Sequence, residues 1–189
     1  MVCTGNICRS PMAEALLADR LGRAGVEARV HSVGLLSAGQ RVPVHAVAAL
    51  APRGLDLGDH RSRRLSADHV AGADLVLGMT REHVREVVLL APAAWARTFT
   101  LKELVRRAEA VGPRRPGQDL GGWLDAAHAG RTRRDLLGES TQDDVADPYG
   151  LGPADYEGTA RELEGLVARL VGLAWGQAGA GTRTGQEHP

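Results

Sequence analysis

Eleven residues at the head of the chain, Met-Val-Cys-Thr-Gly-Asn-Ile-Cys-Arg-Ser-Pro, limit its fold more than any other stretch. They are followed at once by Met12 to Gly25, where Leu16, Leu17 and Leu21 recur at helical spacing and a glycine closes the run. The reading is a loop opening directly onto a helix, with Ser10 near the N-cap. Pro11 then takes the first helical position, where its missing N–H costs nothing.

The rest of the chain alternates. Ala28–Val33 reads as a strand, Val44–Arg53 as a helix and Gly54–Arg64 as a turn-rich stretch. Ala73–Met79 is the short, largely apolar run of a buried parallel strand, and Thr80–Ala91 is its crossover helix. Arg97–Leu101 follows as a fourth strand, then a helix over Leu101–Ala110. Pro153–Trp175 ends the pattern with Leu163, Leu166, Val167, Leu170 and Leu173 on one stripe. Alternation of this kind predicts a doubly wound α/β sheet, with parallel strands and helices on both faces. Two segments stand apart. Val111–Ser140 is rich in Arg, Gly and Pro with Trp123 and Leu124 as its apolar anchor, and reads as an exposed insertion with one short helix. Residues 176–189 are Gly-rich, polar and aperiodic, which predicts a disordered tail.

With 189 residues, 43% of them hydrophobic, the chain suits one domain, placed at residues 1–175. Its formal charge is zero and it carries no basic stripe, so nucleic acid is not an expected partner. It has neither a run of about 18 apolar residues nor the charged and apolar regions of a secretory signal, so no membrane partner and a cytoplasmic location are expected. The two cysteines, Cys3 and Cys8, are too close for a bridge to staple distant segments. In a reducing compartment such a pair reads as catalytic or redox-active.

Five residues separate Cys3 from Arg9, enough for the backbone to curl into a cup whose N–H groups converge on one point. A cup of that kind at a helix N-terminus binds anions. The helix dipole and Arg9 beside Cys3 favour the nucleophilic thiolate. Arg9 also offers a planar fork that matches two phosphoryl oxygens and is already aimed at charge developing in a transition state. Gly5 is expected to supply a backbone φ that other residues avoid. No metal-ligand set and no cofactor is expected.

The string from Val2 to Glu14 resembles the signature loop of the low-molecular-weight protein-tyrosine phosphatases, with Thr4, Gly5, Asn6, Ile7, Cys8 and Ser10 as its phosphate-binding residues. The likeness continues in Ala-Asp-Leu-Val-Leu-Gly-Met-Thr at 73–80 and Asp-Pro-Tyr-Gly at 147–150, and extends to about Trp175 apart from the insertion. It implies a flavodoxin-like four-stranded parallel sheet with the loop at the carboxyl ends of the strands. It also implies roles. Cys3 attacks phosphorus to give a phosphocysteine, and Asp147 protonates the leaving tyrosine oxygen and then activates water. Ser10 stabilises the Cys3 thiolate, Asn6 holds the loop through Ser32 and His60, and Tyr149 walls the cleft. Cys8 can form a protective reversible disulfide with Cys3. The partner implied is a phosphorylated protein. A full first strand is also implied where this chain supplies Met1 and Val2, so the first strand is read as truncated, with a start upstream of Met1 expected.

Three other readings share this loop. A protein-arginine phosphatase has Thr where this chain has the apolar Ile7, which favours a flat aryl ring, although Asp-Pro-Tyr-Gly in place of two successive tyrosines suits the arginine enzymes. A thiol-dependent arsenate reductase needs further cysteines, and none follows Cys8. A non-catalytic phosphate-binding module would not need Cys3, Arg9 and Asp147 together.

Overall fold

The structure, a computed structural model, describes residues 1–176; the expected disordered tail at 176–189 lies, apart from Gly176, outside the described residues. Four short parallel strands form the sheet in the order β2-β1-β3-β4: β1 Val2–Cys3, β2 Val33–Gly34, β3 Val76–Gly78 and β4 Thr98–Thr100. Side chains alternate across it, as the strand period requires. Cys3, Leu77 and Phe99 face one core, and Val2, Val33 and Val76 face the other. The first core is closed by α1 Arg9–Arg23, α2 Val44–Leu50, α5 Leu101–Val111, α6 Leu120–His128 and α7 Pro153–Trp175. The second lies under α3 Ala67–Ala71 and α4 Arg81–Leu90. Helices therefore cover both faces. Among the described residues no helix is long and apolar enough to cross a membrane.

α7 has the bounds its leucine stripe predicts, and it packs along α1, α2 and α5. Three expectations need correcting. The strand expected over Ala28–Val33 is reduced to Val33–Gly34. A strand exists only where it has a partner, and β1 offers Val2 against Val33 and Cys3 against Gly34. Beyond that pair the Met1 ammonium donates to the His31 carbonyl at 2.8 Å, and residues 28–32 stay out of the sheet. A cleft of about 360 Å³ lies there, with Met1, Val30, His31 and Leu75 among its lining.

Helix α1 begins at Arg9, two residues earlier than Pro11, with Cys8 at the N-cap and no side-chain cap. Ser10 cannot cap because its hydroxyl is held by Cys3 and Asn6. Pro11 still falls in the first turn, where N–H groups lack helical partners.

The segment 111–140 is also not a free insertion. Trp123, Leu124 and Ala127 of α6 are buried in the main core, and the Arg131 side chain is 0% exposed. Its guanidinium lies 3.9 Å from the centre of the Trp95 ring and 4.0 Å from that of Phe99, with Nε and Nη2 on the two oxygens of the Glu103 carboxylate. An arginine in such a sequence reads as solvated, but a planar cation between two rings with a bidentate carboxylate is a stable buried arrangement.

Candidate active site

β1 delivers Cys3 to the carboxyl edge of the sheet, and residues 4–8 turn back into α1. The turn rests on Asn6, which takes the left-handed φ of +52°. Gly5 had been the expected place for that conformation. Asn6 can adopt it because its side chain bonds locally: its Nδ2 donates to Ser10 Oγ at 2.9 Å and Ser32 Oγ at 2.7 Å, and its Oδ1 accepts from Arg63 N at 2.8 Å. His60 Nε2 donates to the Asn6 carbonyl at 3.0 Å. Burial holds His60 below the usual histidine range, although the bond to Asn6 opposes it. Gly34 is needed for this closure, because a Cβ there would sit 2.7 Å from Asn6 N.

The same network turns toward Cys3. Ser10 Oγ accepts from Asn6 and lies 3.0 Å from Cys3 Sγ, toward which its own proton is free to turn, and Asn6 N donates to the same sulfur at 3.2 Å. Two donors converge on Sγ, an arrangement that suits a thiolate. Cys8 differs. Burial pushes its thiol up to about 11, and its Sγ lies 3.5 Å from Tyr156 Oη. It therefore stays protonated at neutral pH.

Arg9 is 4% exposed. Its Nη1 donates to Val145 O at 3.0 Å, its Nη2 meets Thr4 Oγ1 at 3.4 Å and pairs with Asp147 Oδ2, and its Nε has no partner among the described residues. Asp147 reaches the cup because the chain before it is pinned: Val145 N donates to Met79 O at 2.8 Å, and Asp144 accepts from Arg81 N at 2.7 Å. Asp143 is buried; burial raises its carboxyl, but bonds from Arg81 at 2.7 Å and Arg106 at 3.0 Å outweigh this and leave it below the usual range. A cavity of about 350 Å³ opens above Cys3, Arg9 and Asp147. Ile7, Leu36 and Tyr149 wall it, and Ser37 and Gln40 stand at its edge. Leu36 and Tyr149 are 59% and 65% exposed.

The cup thus gathers Cys3, Thr4, Gly5, Ile7, Cys8, Arg9, Asp147 and Tyr149, with Asn6 and Ser10 beneath it and Ser32 and His60 as props. Sequence reasoning missed the clasp of Asp143, Asp144, Arg81 and Arg106, the Leu36 wall and His83, which bonds Thr4. Charges next to Asp-Pro-Tyr-Gly were the one available signal for the clasp; for Leu36 there was none.

Residues 1–113 match the family described as low molecular weight phosphotyrosine protein phosphatase. The chain belongs to that family. It is 37% identical over 172 residues to a protein-arginine-phosphatase of Geobacillus stearothermophilus, covering 90% of each chain. It is 38% identical over 122 residues to the low molecular weight protein-tyrosine-phosphatase Etp of Escherichia coli K12, covering 63% of this chain and 78% of that one. Among solved structures, a low molecular weight protein tyrosine phosphatase from T. tengcongensis superposes with a TM-score of 0.68 at 32% identity, covering 90% of this chain and 94% of that one. The phosphatase's four-stranded order and its helices on both faces agree with that likeness.

Proposed function

We propose that this family member is a protein-tyrosine phosphatase acting through a phosphocysteine on Cys3. The observation that carries the reading is the arginine of the cup. Arg9 sits beside Cys3 with its Nε–H unpartnered among the described residues and Asp147 on its Nη2, so one phosphoryl group entering there meets a fork, a nucleophile and an acid together.

The steps follow from those positions. The phosphoryl oxygens take the Nε and Nη2 donors of Arg9 and displace Asp147. Cys3 Sγ attacks phosphorus in line, the bond from phosphorus to the aryl oxygen breaks, and Asp147 gives that oxygen its proton. Asp147 then takes a proton from water, which attacks phosphorus, and the P–S bond breaks to return the Cys3 thiolate and inorganic phosphate. Charge on the equatorial oxygens is met by donors already in place. The apolar walls Ile7, Leu36 and Tyr149 suit a phenyl ring, and their exposure suits one carried on a phosphorylated protein. The reading includes a reducing, cytoplasmic setting, in which a cysteine nucleophile stays reduced.

One observation favours a second reading, hydrolysis of phosphoarginine. The relatives named protein-arginine-phosphatase align over 90% of this chain, whereas the one named Etp aligns over 63%. The comparison that decides is kcat/KM on matched phosphotyrosine and phosphoarginine peptides, with the Cys3→Ser protein as the blank. Tyrosine is expected to lead by tenfold or more; a lead for arginine transfers the assignment, and turnover by Cys3→Ser within tenfold of the parent removes Cys3 as nucleophile.

A further inference from the structure

We propose that Thr4 is a further phosphate donor of this site and that His83 is the positioning residue that turns the Thr4 hydroxyl proton toward the bound phosphoryl group. The inference rests on the phosphatase reading above; Thr4 already belongs to the loop, and what is added is the role of its hydroxyl and the residue His83.

His83 is 1% exposed and stands three residues into the chain after Thr80, at the start of α4. Thr80 N donates to His83 Nδ1 at 3.0 Å. An amide always carries its hydrogen, so Nδ1 must accept, and a neutral ring then holds its one proton on Nε2. Burial first, then the charges of Arg9 and Arg85, bring His83 down to about 3, so the ring is neutral at any pH where the protein works. The partner of Nε2 is Thr4 Oγ1 at 3.0 Å, and His83 donates to it.

Thr4 Oγ1 also lies 3.4 Å from Arg9 Nη2, which can only donate. A hydroxyl oxygen accepts twice and donates once. With N–H groups on both lone pairs, Thr4 is left as an obligate donor, and among the described residues no acceptor is paired with it. Thr4 lines the same cavity as Cys3, Arg9 and Asp147. The acceptor that arrives there is an anionic oxygen, and an O–H donor to such an oxygen makes one of the stronger hydrogen bonds. Arg9, which lines the same cavity, also carries a buried Nε–H with no acceptor among the described residues. His83 does not line the cavity. It fixes the direction of a group that does.

A purely structural His83 would merely close the first turn of α4, through the reciprocal cap that it forms with Thr80. The two roles separate in a double-mutant cycle read by calorimetric binding of inorganic phosphate, with a thermal melt on each protein. Thr4→Val is expected to weaken phosphate roughly 10- to 100-fold, the scale of a charge-assisted bond, and Thr4→Ser by less than threefold. His83→Leu should lose about as much as Thr4→Val, and the double variant no more than Thr4→Val alone. Should His83→Leu fail to fold, His83→Gln carries the test. Its amide can accept from Thr80 and donate to Thr4, so it is expected to keep most of the affinity in the Thr4 background and to make no difference in the Thr4→Val background. Phosphate binding by Thr4→Val equal to that of the parent, or losses that multiply in the double variant, overturns the proposal. A parent protein that binds no phosphate overturns the cup itself, a different outcome from an unaltered Thr4→Val.

Discussion

Extending the first strand tests the sheet and the chemistry of Met1 together. Four to six apolar, β-branched residues placed before Met1 would enter the cleft between residues 28–31 and β3, with partners on both sides. About four added backbone bonds, at roughly 1 kcal/mol net each, contribute about 4 kcal/mol. The extension also turns the Met1 ammonium into an amide. Burial lowers that ammonium from 8.0 to about 6, against the opposing pull of Glu14 and Cys3 and with help from Arg63. Between those values the unfolded chain holds a proton that the folded chain does not. The folded state of the 189-residue chain therefore loses stability as pH falls from 8 to 6, by about 2.7 kcal/mol at about 1.36 kcal/mol per unit, and loses no more below 6. At pH 8 the extended chain should lead by about 4 kcal/mol, and below pH 6 by about 7 kcal/mol. At about 2–4 °C per kcal/mol, the melting gap should grow from roughly 12 °C to roughly 20 °C on acidification. His60, His83 and His128 are depressed in both chains and cancel; His31, depressed first by burial and then by the ammonium, changes with the same sign. Melting curves of the two proteins from pH 5 to 9 supply the check. A gap under 2 °C refutes the sheet argument, and a gap that does not change with pH refutes the ammonium argument.

Asp147→Asn should slow turnover by roughly 10²–10⁴ on phenyl-type leaving groups and much less on leaving groups that need no proton; equal losses on both would make Asp147 structural. Arg9→Lys should cost kcat nearly as much as Cys3→Ser, since a point charge cannot replace a fork whose Nη1 also holds Val145, and a variant changed only in KM would contradict the clamp. Under peroxide, Cys3 and Cys8 should form a disulfide that thiols reverse, while Cys8→Ala is inactivated for good at a faster rate. Mass spectrometry after reduction distinguishes the cases, and equal recovery of both proteins removes the protective role.

What could be read from the sequence is what local pattern or local chemistry decides. The leucine stripe of α7 carries its own period, and Cys3 and Arg9 are tied by the few residues that separate them. Asp147 was legible through its Asp-Pro-Tyr-Gly setting, although nothing local says that it reaches Arg9. Features that depend on a distant partner were not legible. Residues 28–32 have strand composition but no strand beside them. The left-handed residue of the loop is Asn6 and not Gly5: the resemblance already tied Asn6 to Ser32, but the Arg63 N–H that also holds its amide lies far along the chain and gave no local signal. His83 gains its meaning from Thr4, 79 residues away. Arg131 looked solvated because the rings that sandwich it come from the stretch around β4.

That sandwich bears on how the segment 111–140 can change in length. Glu103, on α5, is 5% exposed and shares its carboxylate between Arg107 and Arg131. Trimming the segment to a short turn would take Arg131 away and strip two aromatic faces, leaving a buried anion half-neutralised, a loss of the order of 3–5 kcal/mol. Adding or exchanging residues at exposed positions such as Arg133 and Arg134 leaves the core contacts in place. The segment is therefore elastic in its outer arc and fixed at its inner anchor, and shortening this chain there calls for replacing Glu103 as well.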